Sequence, residues 1–352
     1  MALLWIDGFD KYGTVTATLC DPIDVLKTRY TQKGDRVYIY VGRDADYSIV
    51  MAWDATDWIQ TPHLTTNSTI IVGFSMYTPN THGSGEVFQL RSPDNHHSDV
   101  IGGLSIHLNA DASLTLKRDV TTIGSTLASV VPVDDWCTLE LKIFCDNAAG
   151  TYELRVNDVD ELSGTGTDTQ SDGDSYYSVV RFNGALGVVP ANNVRIDDFW
   201  VCDGAGGEWT DFLGSGARVG TISPMADAYP NQWDEQPVGN HYEAVDEDTQ
   251  NDAEYIESDT ANQTELFEYQ TPPTTNTIFG VQVVTEMITT EPNVWTIKTV
   301  IKHGATEDED AGQVVGTSDW TSIRRLIEKN PVTSNLWTQS DVDGIQAGVK
   351  VG

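Results

Sequence analysis

Carboxylates are the most numerous side chains of this sequence that could do chemistry. It holds 53 Asp and Glu residues against 20 Lys and Arg in 352 residues. Two carboxylates on one strand face can act as acid and nucleophile in glycoside hydrolysis, because alternate residues of a strand share a face. The sequence contains no Glu-x-Asp-x-x-Glu run of that kind. Asp197 and Asp198 are adjacent, so we expect them on opposite faces of a strand, and residues 158–161 are predicted as loop. The chain is therefore predicted to be no enzyme, with no catalytic residues.

Calcium is the one cofactor that these acids suggest, because loop carboxylates and carbonyl oxygens suit a hard cation. None of the acidic clusters has the spacing of an EF-hand or of a calcium-binding nonapeptide repeat. Consecutive acids usually form a solvated surface instead. We predict that no cofactor is required and that calcium is a possible ligand with unknown ligating residues. The candidate clusters are Asp44 with Asp46; Asp168, Asp172 and Asp174; Asp246, Glu247 and Asp248; and Glu307, Asp308, Glu309 and Asp310.

Histidine and cysteine spacings do not predict a metal site. His96 and His97 are neighbours in a predicted loop, with His82 and His107 nearby in sequence, whereas strand ligand pairs converge at i,i+2. The cysteines show no Cys-x-x-Cys pair, and Cys137 and Cys145 lie too far apart along one strand to bond. We expect buried unpaired thiols, as in a reducing cytoplasm. The four cysteines are Cys20, Cys137, Cys145 and Cys202.

Three tryptophans could stack on sugar rings if they are exposed, although large aromatic side chains more often lie in a core. They are Trp53, Trp58 and Trp136.

Residues 133–143 show the pattern that best predicts the elements of the fold. One face of the predicted strand carries Trp136, Thr138, Glu140 and Lys142, and the other carries Cys137, Leu139, Leu141, Ile143 and Cys145. The second face is apolar throughout and must be buried. Residues 195–203 have the character of a second core strand.

Short alternating runs separated by Gly, Asn, Asp and Pro fill the chain, which is typical of an all-β protein. The Gly-rich run at 203–207 predicts a domain boundary. We predict two tandem β-sandwich (jelly-roll) domains, one over residues 1–205 and a second over 206–352. Predicted exceptions are a mobile loop at 163–174 and short helices near 22–30 and 341–347, the latter capped by Ser340. Predicted strands lie at 70–77, 86–90, 104–108, 113–117, 137–144, 152–156, 179–183, 195–202, 218–222, 253–256, 265–269, 278–287, 293–301, 317–327 and 349–351.

The net charge of −33 limits the partners of the chain. Such a surface repels nucleic acid and anionic membranes and keeps a protein soluble at high local density. The first ten residues lack the basic start of a signal peptide, and no apolar run reaches the length of a membrane span. We expect synthesis in the cytoplasm, no membrane insertion and no nucleic-acid partner.

Several short motifs resemble the concanavalin-A-like (laminin-G-like) domain, in the version found in lectin-like structural proteins of tailed bacteriophages. In the first half these are FDKYG at 9–13, DWxxLEL at 135–141, GTYELRV at 150–156 and IDDFWV at 196–201. In the second half they are DFLG at 211–214, RV at 218–219, QW at 232–233, NHYEAVDE at 240–247 and GIQAGVKV at 344–351. The resemblance implies a virion structural protein and transfers no catalytic residue. It implies a concanavalin-A-like, lectin-type domain over residues 1–205, and a second sandwich over 206–352 that serves virion docking or oligomerisation.

Four functions follow from the resemblance and the residues. The first is a non-enzymatic component of a phage tail or fibre-like appendage that contacts host-surface glycan, and the second is a capsid decoration protein. A glycan-degrading enzyme and a free carbohydrate-binding module are the other two. The first two imply other virion proteins as partners and a homo-oligomer, because virion sites occur in symmetric sets.

Overall fold

The computed structural model describes most of the chain. The described residues are 2–12, 26, 28–33, 37–44, 47–51, 58–79, 84–92, 103–171, 173–183, 194–237, 239–247, 251, 253–272, 277–290, 295–316 and 320–352. They divide into two compact units, Met1–Val219 and Gly220–Gly352. The first unit continues past residue 205 because residues 206–219 lie across one of its sheets, and we call this stretch the covering segment.

The first unit consists of two antiparallel sheets. Its strands are β1 Leu3–Asp7, β2 Thr31–Lys33, β3 Val37–Val41, β4 Tyr47–Met51, β5 Trp58–Gln60, β6 Thr69–Thr78, β7 Gly85–Arg91, β8 Leu104–Leu108, β9 Leu114–Arg118, β10 Thr121–Ser125, β11 Asp135–Phe144, β12 Gly150–Val156, β13 Val159–Thr167, β14 Val179–Asn183 and β15 Arg195–Asp203. The eight-stranded sheet has the order β13-β12-β11-β6-β15-β4-β3, with β1 paired to β15. The seven-stranded sheet has the order β10-β9-β8-β7-β14-β5-β2.

One hydrophobic core lies between these sheets. The predicted apolar face of β11 is confirmed: Cys137, Leu139, Leu141, Ile143 and Cys145 are all buried in this core. The seven-stranded sheet contributes residues such as Phe88, Leu90, Ile106, Leu116 and Phe182 from its own inward face. Because strand side chains alternate, each of these apolar residues places its neighbours on the outer face.

The second unit is built on a six-stranded sheet, β16-β19-β25-β21-β22 with β23 paired to β21. Its strands are β16 Pro224–Asn231, β17 Asp234–Gln236, β18 Tyr255–Glu257, β19 Thr264–Tyr269, β20 Val281–Met287, β21 Trp295–His303, β22 Thr306–Glu309, β23 Gln313–Val315, β24 Thr321–Ile327 and β25 Ile345–Val351. The two-stranded sheet β20-β24 packs against it through residues such as Val283, Ile301 and Ile327. A second ribbon joins β17 to β18, a 3₁₀ turn spans His241–Ala244, and a helix spans Gln339–Gly344.

The prediction of an all-β, β-sandwich fold is confirmed, since antiparallel sheets form most of both units. In the described part of the chain, none of the helices is long and apolar enough to cross a membrane. The predicted helix near 22–30 lies largely outside the described residues.

Three local predictions were wrong. Residues 159–161, predicted as loop, and the start of the predicted mobile loop belong to β13, which pairs with β12 along most of its length. Residues 218–222 form no strand, because the backbone N–H of Val219 donates to Asp198 instead of to a neighbouring strand. The C-terminal helix spans Gln339–Gly344 rather than 341–347, because residues 345–347 pair with neighbouring strands as the start of β25, and it is capped by Thr338 rather than Ser340. Thr338 and Asp341 exchange side-chain and backbone hydrogen bonds as a capping box.

Candidate functional site

The outer face of the seven-stranded sheet carries a row of polar side chains. Leu90 and Phe182 point into the core, so Gln89, Arg91 and Arg181 point away from it. Backbone register aligns the row across five adjacent strands, β9, β8, β7, β14 and β5. Successive Cα partners are Lys117, Ser105, Gln89, Arg181 and Gln60. At about 4.8 Å per strand, the row is roughly 19 Å long. We call these five residues the polar row.

Guanidinium groups form short hydrogen bonds along the polar row. Arg181 donates from Nε and Nη2 to Gln60 Oε1 at 3.0 and 2.7 Å. Arg91, beside the row on β7, donates to Gln89 Oε1 at 2.8 Å. The guanidinium carbon of Arg181 also lies 3.9 Å from the centroid of the Trp58 ring, which is a cation–π contact. These contacts hold the side chains in fixed orientations.

A histidine–carboxylate pair lies next to the polar row. His107 Nε2 is 3.4 Å from Glu86 Oε2 and 3.1 Å from Ser105 Oγ. Asn183 donates to the other oxygen, Glu86 Oε1, at 2.5 Å. A carboxylate beside an imidazole orients the ring, which is an arrangement used by a general acid or base.

Burial differs along this surface. Gln60, Gln89 and Arg181 are buried, whereas about a fifth of the side-chain surface of His107 and Glu86 is exposed. Lys117 is half-buried at the same end. The accessible end therefore presents an imidazole, a carboxylate and an ammonium group. Amide, hydroxyl and charged groups in fixed positions can hydrogen-bond the hydroxyl or carboxylate groups of a polar ligand.

Asp197 and Asp198 both contact Arg43, so the prediction that they point to opposite faces was wrong. The backbone N–H of Arg43 donates to Asp197 at 2.8 Å, and the Arg43 guanidinium is 3.6 Å from Asp198. The cause is a β-bulge in β15, in which Asp198 has a φ of 51°. Asp198 also accepts hydrogen bonds from Ser75 Oγ and the Val219 backbone. Burial raises the pKa of Asp198.

Glu140 lies under the covering segment on the same outer face of the eight-stranded sheet. It is 1% exposed, and its Oε1 accepts the Gly214 backbone N–H at 2.8 Å. Burial raises the pKa of the Glu140 carboxyl, although the backbone N–H groups of Gly214 and Leu213 act against this rise. Because backbone atoms of the covering segment close over Glu140, this carboxylate attaches the segment to the sheet.

Two motifs of the second half meet at one buried carboxylate. Glu265 accepts the backbone N–H groups of Gln232 and Trp233 at 2.8 and 3.0 Å. His241 Nδ1 lies 2.8 Å from the other carboxylate oxygen. Burial raises the pKa of Glu265, and these hydrogen bonds oppose the rise. The QW and NHYEAVDE motifs therefore hold a turn and a 3₁₀ helix on β19.

Several of the acids considered for calcium form ion pairs. Asp44 contacts Arg218, Asp168 contacts Arg118, Asp308 contacts Arg325, and Glu309 contacts both Lys298 and Lys350. Over the described residues, no three His, Cys, Asp or Glu side chains are arranged to hold a metal ion. Asp46, Asp172 and Asp248 lie outside the described residues.

The remaining candidates have separate positions. His82, His96, His97, Cys20 and Trp53 lie outside the described residues. Cys137 and Cys145 are buried thiols without a disulfide, and burial raises the pKa of each to about 12. Cys202 is also buried. Trp58 is buried at 7% exposure, while Trp136 is half-buried against Tyr77 at 5.6 Å between ring centroids.

The polar row was missed by the sequence analysis. Its signal is nevertheless present as Gln89 and Arg91, and Ser105 and His107, two polar pairs at i,i+2 within otherwise apolar strands. Two polar residues at i,i+2 on the outer face of one strand do not by themselves predict a functional surface. That prediction also requires knowledge of which strands lie beside this one in the sheet. Strand order decides which of these pairs become neighbours, and strand order is a tertiary property.

Comparison with known proteins gives a fold-level likeness. No family model matches the chain, and no curated protein matches it. Among solved structures, an endo-1,3-beta-glucanase from Streptomyces sioyaensis is 13% identical, with a TM-score of 0.40, over 57% of this chain and 95% of that one. The alginate lyase Aly36B is 10% identical, with a TM-score of 0.40, over 56% of this chain and 95% of that one. Domain 4 of the arabinanase AbnA from Geobacillus stearothermophilus, in complex with arabinotriose, is 16% identical, with a TM-score of 0.33, over 49% and 77%.

The prediction that the chain is no enzyme is corrected by these findings. Proteins named as a glucanase and an alginate lyase are among the similar structures, and so is an endo-beta-1,4-glucuronan lyase from Trichoderma reesei.

Proposed function

We propose that the chain is a component of a tailed-phage particle that contacts glycan at the accessible end of the polar row, through Lys117 and the adjacent His107–Glu86 pair. The phage setting is supported by the motif resemblance and by the net charge of −33, which suits dense display on a particle. Other virion proteins are its partners in this proposal, and a homo-oligomer is its assembled form.

Glycan contact depends on one observation, the register alignment of five polar side chains on neighbouring strands. Polar residues cost free energy when they lose water, so the buried members of the row are hydrogen-bonded to each other and to Arg91. They form a fixed base next to the accessible groups, which suit a ligand with many hydroxyl groups. The accessible end at Glu86, His107 and Lys117 is where such a ligand would first make contact.

Cleavage of the bound glycan is the second candidate function, and the His107–Glu86 pair favours it. An imidazole held by a carboxylate can take a proton from a sugar carbon or hydroxyl, or return one to a leaving oxygen. Arg181 and Lys117 would then supply positive charge near the reacting groups.

The binding proposal is tested with the full chain on an array of bacterial surface polysaccharides and plant and algal glycans. We expect wild-type binding and at least about a tenfold loss of affinity in a His107→Ala, Lys117→Ala double variant, about 1.4 kcal/mol. Lys142→Ala on the other sheet is the matched control and should bind as wild type. Equal binding by the double variant and wild type would disprove glycan contact at this surface.

Cleavage is tested by incubating the array-positive glycans with the protein and measuring new reducing ends and the ultraviolet absorbance of unsaturated uronate. His107→Ala should abolish any product, while Glu86→Gln should change its pH dependence. Mass spectrometry of purified particles tests the phage setting, and absence of the chain from particles would contradict it.

A further inference from the structure

A stack of aromatic and cationic side chains crosses one end of the eight-stranded sheet, opposite to the polar row. The Arg195 guanidinium carbon lies 4.1 Å from the centroid of the Tyr40 ring and 4.6 Å from that of Tyr77. Tyr77 in turn contacts Trp136, with centroids 5.6 Å apart and planes inclined by 55°. We call Tyr40, Arg195, Tyr77 and Trp136 the aromatic ladder.

Sheet register places these residues side by side. Arg195 on β15 and Trp136 on β11 are both Cα partners of Tyr77 on β6. Tyr40 on β3 approaches Arg195 from the other side. Alternation keeps all of them on the outer face, because Ile196 and Cys137, their chain neighbours, lie in the core.

The aromatic ladder is accessible. Tyr40 is 44% exposed, and the other three side chains are half-buried. The covering segment contacts Thr138 and Glu140, which follow Trp136 on the same face of β11. These contacts of the covering segment do not extend to the ladder residues. Hydrogen bonds from Tyr77 to Asp134 and from Arg195 to the Val41 carbonyl, both at 3.5 Å, orient the middle of the ladder.

We propose that the aromatic ladder is a second glycan-binding surface, which takes a polysaccharide segment with its sugar rings stacked on Tyr40, Tyr77 and Trp136. A pyranose ring with equatorial substituents has apolar C–H faces and polar edges. Aromatic faces cover the C–H surfaces, and Arg195 and the exposed carboxylate of Asp134, which contacts the Tyr77 hydroxyl, face the hydroxyl edges.

Charge and size favour a glycan over other occupants. A net charge of −33 opposes nucleic acid, the other polymer that stacks on aromatic side chains. A stable protein interface covers about 800 Å² per partner, whereas three aromatic side chains offer at most about 150–250 Å² each when fully covered. Three of the four ladder side chains are already half-buried, so the ladder is too small for such an interface.

The test compares Tyr40→Ala, Trp136→Ala and their double variant with wild type on the same glycan array, using the full chain. Tyr229→Ala is a matched control, because Tyr229 is an exposed tyrosine of the second unit that also lies near a cation, Lys302. We expect about a tenfold loss of affinity for each ladder substitution and none for the control. Arg195→Lys, which keeps the charge but loses the planar stack, should weaken binding and leave the urea midpoint near that of wild type.

The outcomes separate this inference from the function proposed above. Loss of binding in the ladder variants with full binding by the His107→Ala, Lys117→Ala variant would support the ladder and contradict the polar row. The opposite result would overturn the ladder and leave the polar row in place. A wild-type protein that binds no glycan on the array would overturn both. Ladder variants that bind every glycan as wild type does would overturn the ladder alone.

Discussion

Single buried carboxylates in the first unit attach loops to sheets. Glu140 faces the Gly214 and Leu213 backbone, with Arg155 and Asp158 as its charged neighbours. Its carboxylate is fully covered although water would solvate the charge far better. The hydrogen bond to the backbone offsets part of that cost, and so Glu140 is a structural residue rather than a catalytic one.

Replacing Glu140 should change the free energy of unfolding in a direction that the contacts of Glu140 define. Glu140→Ala leaves the Gly214 N–H without its acceptor and should lower the free energy of unfolding by about 1–3 kcal/mol. Glu140→Gln keeps an acceptor and removes the buried charge, so its cost should be smaller. Because burial raises the pKa of Glu140 in the folded protein, its contribution to stability is present at low pH and is lost as the pH rises through the raised pKa.

The stability of Glu140→Gln relative to wild type should therefore increase from about pH 4 to about pH 8, as measured by urea unfolding. Glu307→Gln, at an exposed position of β22, is the control and should not show this trend. A glutamine variant that loses stability relative to wild type as the pH rises would contradict the assignment.

The covering segment has no regular secondary structure and is attached to the eight-stranded sheet by hydrogen bonds and ion pairs. Three of its backbone N–H groups donate to carboxylates of the sheet: Gly214 to Glu140, Ser215 to Asp158 and Val219 to Asp198. Side chains add ion pairs from Asp211 to Lys142 and from Arg218 to Asp44, at 3.0 and 2.9 Å. The Arg155 guanidinium also lies 4.2 Å from the Phe212 ring centroid. These contacts explain why the segment belongs to the first unit.

Hydrogen exchange of the full chain tests this attachment. Amides of Gly214, Ser215 and Val219 should exchange slowly in an otherwise irregular segment. Asp158→Ala removes the acceptor for the backbone and hydroxyl of Ser215, and should speed exchange at 215 by about tenfold, which corresponds to about 1.4 kcal/mol. Asp160→Ala, on the neighbouring strand, should leave this exchange unchanged. Rapid exchange throughout 211–219 in wild type would disprove the attachment.

At the scale of the whole molecule, the large negative net charge is the main electrostatic influence on folding stability. A net charge of −33 on 352 residues opposes compact folding through self-repulsion, most strongly where the Debye length is long. At about 0.01 M salt that length is about 30 Å, and at 0.15 M it is about 8 Å. Local ion pairs such as Lys298 and Lys350 with Glu309 relieve only part of the repulsion, since 20 cations face 53 acids.

The melting temperature should therefore rise by several degrees between about 0.01 and 0.15 M NaCl, because salt screens the repulsion. Differential scanning calorimetry measures it, with an equal osmolality of a neutral sugar alcohol as the control, which should give a smaller rise. A melting temperature that falls on addition of salt would indicate that attractive ion pairs outweigh the repulsion.

The alternation of apolar and polar residues was sufficient to predict the strands in which this alternation is strong. The apolar face of β11, the span of β8 at 104–108 and the span of β14 at 179–183 follow from side-chain period alone, because one buried face demands that spacing. The all-β class follows in the same way. Weakly alternating polar strands such as β13 were not recognised, since their side chains are largely exposed and leave no apolar signal.

Only the tertiary structure decided which residues meet. Asp197 and Asp198 both contact Arg43, one through its backbone N–H and the other through its guanidinium. They meet there because a bulge, which has no strong sequence signature, turns one of them back to the same face. The polar row and the aromatic ladder exist because β7 lies between β8 and β14, and β6 between β11 and β15, in an order that differs from chain order. Side-chain alternation is a local property of each strand and can be read from sequence. The neighbours of a strand are selected by long-range packing, which the sequence of that strand does not contain.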